Sequence, residues 1–336
     1  MADGKGPRIL VRASERGDAG GSQHPWNPGS EIHGWMLGQA AGLTRLGVSL
    51  AWLPPGKESY AYHLHHREEE WMYLLEGEGV VDVDDREVAV GPGDFLGFPP
   101  GVAHLVRNTG AGDLRFLQGG EVISDVEVAD FPRLKRRMVR VGRKISIFPY
   151  EAEVPFFAGA PTPLELPAAL FGGPAPEKAE PPRVVVKAAE RGDARRFQHP
   201  QNPRSEVFLS GLSRPAGLKR LAVVHTRLPA RRDAYVMHAH ARDEEWMYVL
   251  SGRGLARHAG IEVEIGPGDF LGFPAGVAHD TRALDEELTY VSGGDAWAKG
   301  TVDVVDFPTL GLRRVFLGTK DSTTFPMSQA LEKIGH

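Results

Sequence analysis

Gly91-Pro92-Gly93-Asp94-Phe95-Leu96-Gly97-Phe98-Pro99 recurs letter for letter at 266–274, and this repeat decides how the whole chain reads. The same shift of 175 residues lays His63 on His238, Glu70 on Glu245, Gly77 on Gly252 and His104 on His279. From residue 60 to 104, 27 of 45 positions are identical in the two copies, too many for a shared β pattern alone, so the chain is a duplicated domain. The register runs from Glu15-Arg16-Gly17-Asp18 on Glu190-Arg191-Gly192-Asp193 to Arg107 on Arg282. Beyond it the copies drift, with Leu114 matching Leu288 and Asp130-Phe131-Pro132 matching Asp306-Phe307-Pro308. The stretch 156–182 is rich in Pro, Ala and Gly and reads as a linker with at most one short helix around Leu164 to Phe171. The expected units are therefore residues 1–155, the linker 156–182, and residues 183–336.

Composition sets the outer bounds. The 336 residues are 41% hydrophobic and 25% charged with a net charge of −5, which suits a chain that buries real cores. Absence of cysteine excludes disulfides, thiol nucleophiles and iron–sulfur ligation. No basic cluster is longer than Lys135-Arg136-Arg137, so neither nucleic acid nor a membrane is an expected partner. No apolar stretch approaches a membrane span, and the first residues lack the apolar core of a signal peptide, so a cytoplasmic location is expected. With 41 Gly and 26 Pro between short apolar runs, the architecture should be all-β. Apolar spacing at Met327, Ala330, Leu331 and Ile334 predicts a short C-terminal helix over 325–334.

Two histidines two apart on a strand project to one face, so His63 and His65 converge if that face is a barrel interior. A turn after them brings Glu70 back on the next strand, and His104 enters beyond the Gly-Pro-Gly turn. His238, His240, Glu245 and His279 repeat the set. Three imidazoles and a carboxylate suit one divalent transition metal per barrel: zinc if the site is closed and tetrahedral, Fe, Mn, Ni, Co or Cu if positions stay open. Glu69 and Glu244 compete for the ligand role: alternation puts Glu70, Met72 and Leu74 on one face and Glu69, Trp71 and Tyr73 on the other, and the spacing to Gly77 selects Glu70. His66 has the wrong parity and belongs in solvent.

These motifs resemble the cupin superfamily, whose two signatures match as His63-x-His65-x4-Glu70-x6-Gly77 and Gly93-x5-Pro99-x-Gly101-x2-His104-x3-Asn108. In the second copy Ala283 stands where the motif ends in Asn, and Arg231 stands where the first copy has Gly56. The resemblance covers roughly residues 40–120 and 215–295. It implies a bicupin: two tandem double-stranded β-helix, jelly-roll-like barrels with one metal pocket each. On that basis a metal-dependent, dioxygenase-like oxidoreductase acting on a small oxygenated metabolite is the first expectation. A sugar or sugar-phosphate isomerase and a non-catalytic metabolite binder are the alternatives, and a homo-oligomer is compatible with each. Glu70 and Glu245 would double as catalytic bases, while Tyr60 and Tyr235 would offer phenols to substrate at the barrel mouths. Trp71 and Tyr73, with Trp246 and Tyr248, are expected to fill space between sheets or copies. The arginine pairs Arg45/Arg220 and Arg107/Arg282 are expected in surface ion pairs, and His24/His199 in structural turns. His225, where the first copy has Leu50, is expected to tune the second pocket.

Overall fold

A computed structural model describes residues 8–123, 125–154, 183–295, 302–317 and 321–330. Residues 155–182, which include the expected linker 156–182 and the helix anticipated near Leu164, lie outside the described residues. Each half is a seven-stranded antiparallel sheet facing a second layer made of a three-stranded and a four-stranded sheet. In the first half the large sheet runs in the order Phe95–Phe98, Glu70–Glu76, Leu114–Glu121, Leu46–Leu53, Ile32–Trp35 and Gly20–Ser22. Opposite it stand His104–Asn108, Gly79–Val83 and Arg86–Val90, then the strands from Val126–Phe131 to Lys144–Pro149 with the two-residue strand Leu64–His65 at their edge. The two-residue turn Asp84-Asp85 has φ of 45° and 62°, the left-handed values that match a hairpin's twist. Gly77 turns at φ +85°, where a Cβ would sit 2.5 Å from the Asp113 carbonyl oxygen, so no other residue fits.

The remaining strand of each large sheet comes from the other half. Leu10–Val11 pairs with Phe270–Phe273, and Val185–Val186 pairs with Phe95–Phe98. Between the halves lies a joint apolar core containing Leu46, Val48, Leu221 and Val223, with Trp71 stacked on Trp246 at 5.0 Å and 7°. Glu69 is buried here: its carboxylate accepts the backbone N–H groups of Lys219, Arg220 and Leu221 at 2.8, 2.9 and 3.1 Å. Glu244 reciprocates by accepting those of Thr44, Arg45 and Leu46 at 2.9, 3.0 and 3.2 Å. The outward parity read for these two carboxylates thus has a purpose, since each clamps a strand entry of the opposite half. Two separate cores fill the barrels, one around Leu74, Leu96 and Phe116, the other around Val249, Leu271 and Leu288.

Two expectations need correction. The chain from Asp321 to Pro326 is a strand and Met327–Gln329 a single 3-10 turn, so no helix begins at Phe325; residues 331–336 lie outside the described residues. The strand wins because Arg313–Phe325 and Leu312–Pro326 complete an antiparallel ladder. His225 lies between the pocket-lining Val224 and Thr226 but faces the other way, stacked near Tyr73 at 6.5 Å. Burial and the charges of Arg191 and Arg227 push its pKa down to about 4. Because the folded-state value lies below the ordinary 6.5, stability is complete above that pH and is lost as pH falls toward 4. Wild type should lose about 1–2 kcal/mol more than His225→Leu on going from pH 7.5 to 5, measured by urea unfolding. Equal losses in the two proteins would contradict that environment.

Candidate metal centre

The duplication brings four side chains together twice. Glu70 Oε2 lies 3.6 Å from His63 Nε2, 3.5 Å from His65 Nε2 and 3.3 Å from His104 Nε2. Glu245 Oε2 lies 3.4, 3.6 and 3.0 Å from Nε2 of His238, His240 and His279. The convergence follows from the backbone: His63 bridges directly to His104, and His238 to His279, across the barrel's second layer. His65 projects from the same short segment as His63, and Glu70 begins the returning strand. Phe98 stacks on the His104 ring at 3.7 Å and Phe273 on His279 at 3.8 Å, fixing both planes.

The far ring nitrogens are all occupied. His63 Nδ1 donates to the Ala61 carbonyl at 2.8 Å and His104 Nδ1 to that of Val102 at 3.1 Å. His65 Nδ1 donates to the buried carboxylate of Glu127 at 3.2 Å. In the second half the partners are Val236 and Val277 carbonyls at 2.8 and 3.0 Å and the Asp303 carboxylate at 2.6 Å. Protonated Nδ1 leaves the Nε2 lone pairs aimed at the common point, which is the tautomer a metal needs. Glu245 Oε2 is buried, faces those three nitrogens and accepts no hydrogen bond. A buried carboxylate oxygen facing three imidazole Nε2 atoms fits a divalent cation.

The electrostatics carry the same mark. Burial raises the Glu70 pKa, but His65, His104 and His63 outweigh it and hold the carboxyl well below its ordinary value; Glu245 is depressed in the same manner. Burial lowers the His65 pKa, yet the Glu70 charge and the Glu127 contact prevail and bring it to about 9. His240 reaches about 9 against the same burial, through Asp303 and Glu245. His104 and His279 are lowered, chiefly by burial. Each half therefore concentrates one ionised carboxylate and competing protons at a point that a metal would neutralise.

Cavities of about 400 and 360 Å³ open onto the two clusters. Tyr60 and Tyr235 line them, with each ring 6.2 Å from His63 and His238 respectively. Burial raises both phenols, and the Glu245 charge helps bring Tyr235 to about 12, so both remain proton donors. Among the described lining residues of either cavity there is no Lys or Arg. The repeated arginines are engaged elsewhere: Arg45 with Asp295, Arg220 with Glu121 at 2.7 Å, Arg107 with Asp82 at 3.3 Å and Arg282 with Asp233 at 2.7 Å. His66 is exposed and paired with Asp130.

Three features escape a reading of the sequence. His24 is more than a turn residue, since its ring lines the first cavity beside Phe131 at 5.5 Å. Tyr290, buried where the first half has Phe116, adds a phenol to the second cavity. Glu127 and Asp303 orient His65 and His240; their signal is an acid set among alternating valines, at the 176-residue shift that already relates Asp130 to Asp306.

Comparison with known proteins agrees with this geometry. Residues 49–118 and 224–292 match the family described as Cupin domain, once in each half. An oxalate-binding protein of Thermotoga maritima is 42% identical over 65 residues, 19% of this chain and 53% of that protein's length. The chain thus spans about half the length of that curated relative. A crystal structure of a putative sugar phosphate isomerase from Acidithiobacillus ferrooxidans is 34% identical, covering 44% of this chain and 97% of that one, with a TM-score of 0.43. A single-residue variant of oxalate decarboxylase from Bacillus subtilis superposes with a TM-score of 0.52 over 88% of this chain and 78% of its own at 16% identity, a likeness of fold. With a cupin match in each half, a fold shared with that decarboxylase and both histidine motifs whole, the chain belongs to the cupin superfamily as a bicupin.

Proposed function

We propose that the protein is a metal-dependent oxidoreductase of dioxygenase type acting on a small oxygenated metabolite. One divalent transition metal would be held by His63, His65, Glu70 and His104, another by His238, His240, Glu245 and His279. The units would be residues 1–155 and 183–336, joined by 156–182. The observation that carries this reading is the twice-built convergence of three Nε2 atoms and one carboxylate at the floor of a largely apolar cavity. A bound metal would supply Lewis acidity and, where redox-active, electrons at the positions facing the cavity. The chain's own residues do the rest. Tyr60 and Tyr235 donate hydrogen bonds to a substrate oxygen, Phe98 and Phe273 hold ligand rings in plane, and Met72 and Phe131 exclude water. Glu70 and Glu245 supply the anionic ligand and, when a substrate proton comes within reach, its acceptor.

Without Lys or Arg among the described lining residues of either cavity, a sugar-phosphate substrate would have no cationic grip there, so isomerisation is the weaker alternative. A non-catalytic site for a small carboxylate is favoured by one observation, the similarity to an oxalate-binding protein. Oxygen consumption separates the readings. Turnover of a metabolite panel that needs dioxygen, and needs iron, copper, manganese, cobalt or nickel in place of zinc, is expected. Oxygen-independent interconversion would move the assignment to an isomerase, and saturable binding without turnover to a binder.

Glu127→Ala should weaken metal binding in the first half by about 10–100-fold, because His65 loses the carboxylate that fixes its ring and tautomer. The second half, whose Asp303 is untouched, should keep its affinity in the same competition titration against a chelator. An unchanged first site would show that Glu127 has no part in orienting His65.

A further inference from the structure

The two barrels share a floor but not a wall. In the first half the edge strand Gly20–Ser22 lies against Ile32–Trp35, with Gly20 opposite Gly34 and Ser22 opposite Ile32. Cross-strand partners point to the same face, so Ser22 and the buried Ile32 both look toward the barrel interior. The second half has Arg195 opposite Leu209 and Phe197 opposite the buried Val207. There Phe197 packs into the barrel core, 5.6 Å from Tyr235, and Leu209 lines the second cavity. In the first half Ser22 and Gly34 leave that space open, and a chamber of about 270 Å³ occupies it.

This chamber adjoins the first metal cavity. Ser49, Tyr60 and Gln118 line both, so they form the threshold between them. Its lining continues along the glycine-built edge to His33, Trp35 and Met36, the last of which is 62% exposed, so the chamber reaches the surface. At Gly20 even an added Cβ would meet nothing nearer than 3.8 Å, leaving a flat backbone wall. His33 is held by stacking on Trp52 at 5.6 Å and 19°, and Trp35 rests against the same indole at 5.2 Å. These rings lie on the outer face of the sheet, over Gly21, while the slot itself is walled by glycine backbone with Ile32 and Ala51 and suits a flat apolar group.

We propose that the two sites are unequal: the first accepts a metal-chelating oxygen substrate bearing a flat apolar substituent, which passes Tyr60 and Gln118 into the side chamber, whereas the second admits only the chelating head. This rests on the metal assignment made above. Phe197 and Leu209 are the specificity-determining residues that close the second site, and Ser22 and Gly34 open the first. Gly34 is a poor place to test the idea, since a Cβ there would come 2.4 Å from the Leu50 carbonyl oxygen. Ser22 is exposed, and Ser22→Phe installs the residue that the other half already carries.

The experiment uses the full chain loaded with zinc, in a His240→Ala form that keeps the first site and a His65→Ala form that keeps the second. Zinc content is measured first, and catechol and 4-phenylcatechol are then titrated calorimetrically into each. The ratio of the two affinities cancels the metal's own preference. It should be about tenfold or more higher at the first site, the worth of burying an aryl ring. Ser22→Phe in the first-site protein should collapse that ratio while leaving catechol binding unchanged, and Phe197→Ser in the second-site protein should raise it. Equal ratios at the two sites, or a ratio that survives Ser22→Phe in a protein still binding catechol normally, would overturn the proposal. Loss of zinc from both single-site proteins at the outset would instead overturn the metal assignment, and this inference with it.

Discussion

Replacing His65 by Ala should lower the metal content of the protein from about two equivalents per chain to about one, and adding His240→Ala should lower it to none. Three effects combine at this position. One Nε2 donor is lost from a set in which the Glu70 oxygen lies 3.3–3.6 Å from the three ring nitrogens. The Glu127 carboxylate, almost wholly buried, loses its ring partner. Glu70 loses the ring whose charge contributes most to holding it ionised. The second cluster shares no ligand with the first, so its equivalent should remain with unchanged affinity. Elemental analysis after dialysis against a weak chelator reads the result. Two equivalents retained by His65→Ala would remove this histidine from the ligand set.

Trp71→Ala should cost about 3–5 kcal/mol of stability, the range for emptying a buried aromatic site. The indole is 2% exposed, its partner Trp246 3%, and the pair is stacked nearly parallel at 5.0 Å. Glycine at 119 and at 293 makes the room, because a Cβ at either would fall 2.7 Å from the facing indole. Little can collapse into the void, since the neighbouring sheets are pinned by the Glu69 and Glu244 clamps and by the exchanged edge strands. Aromatic stacking adds about 0.5–1.5 kcal/mol beyond burial. Both halves should lose stability together in one thermal transition, since the lost surface belongs to each. A change below about 1 kcal/mol, or a shift confined to one half, would show that the halves do not rely on this contact.

What is legible in the sequence is legible because it repeats and because strands have a period of two. His63 and His65 have to share a face, the returning strand has to present either Glu69 or Glu70, and the spacing to Gly77 selects Glu70; alternation then sends Glu69 and Trp71 to the opposite side, where they build the joint between halves. Asp94 is legible as a turn residue and accepts the Gly91 N–H at 3.0 Å. The strand exchange is hidden because Leu10–Val11 and Val185–Val186 are two residues long, too short for any pattern. Glu127 and Asp303 are hidden by distance, more than 60 residues beyond the histidines they orient, in the region where the copies differ in length. His225 misleads because a substitution between copies says nothing of which face it occupies; its neighbours Val224 and Thr226 already claim the pocket side. The side chamber is invisible for the opposite reason, since it is made by what glycine and serine leave out.

Every functional statement above depends on the proposal that four named donors in each half would surround a metal ion. Anomalous diffraction at the absorption edge of the metal found in protein from its native host tests it directly. Two peaks per chain are expected, one about 2.0–2.2 Å from Nε2 of His63, His65 and His104 and from a Glu70 oxygen, the other equally placed in the second half. Peaks located elsewhere, or none after saturation with divalent metal, would contradict it.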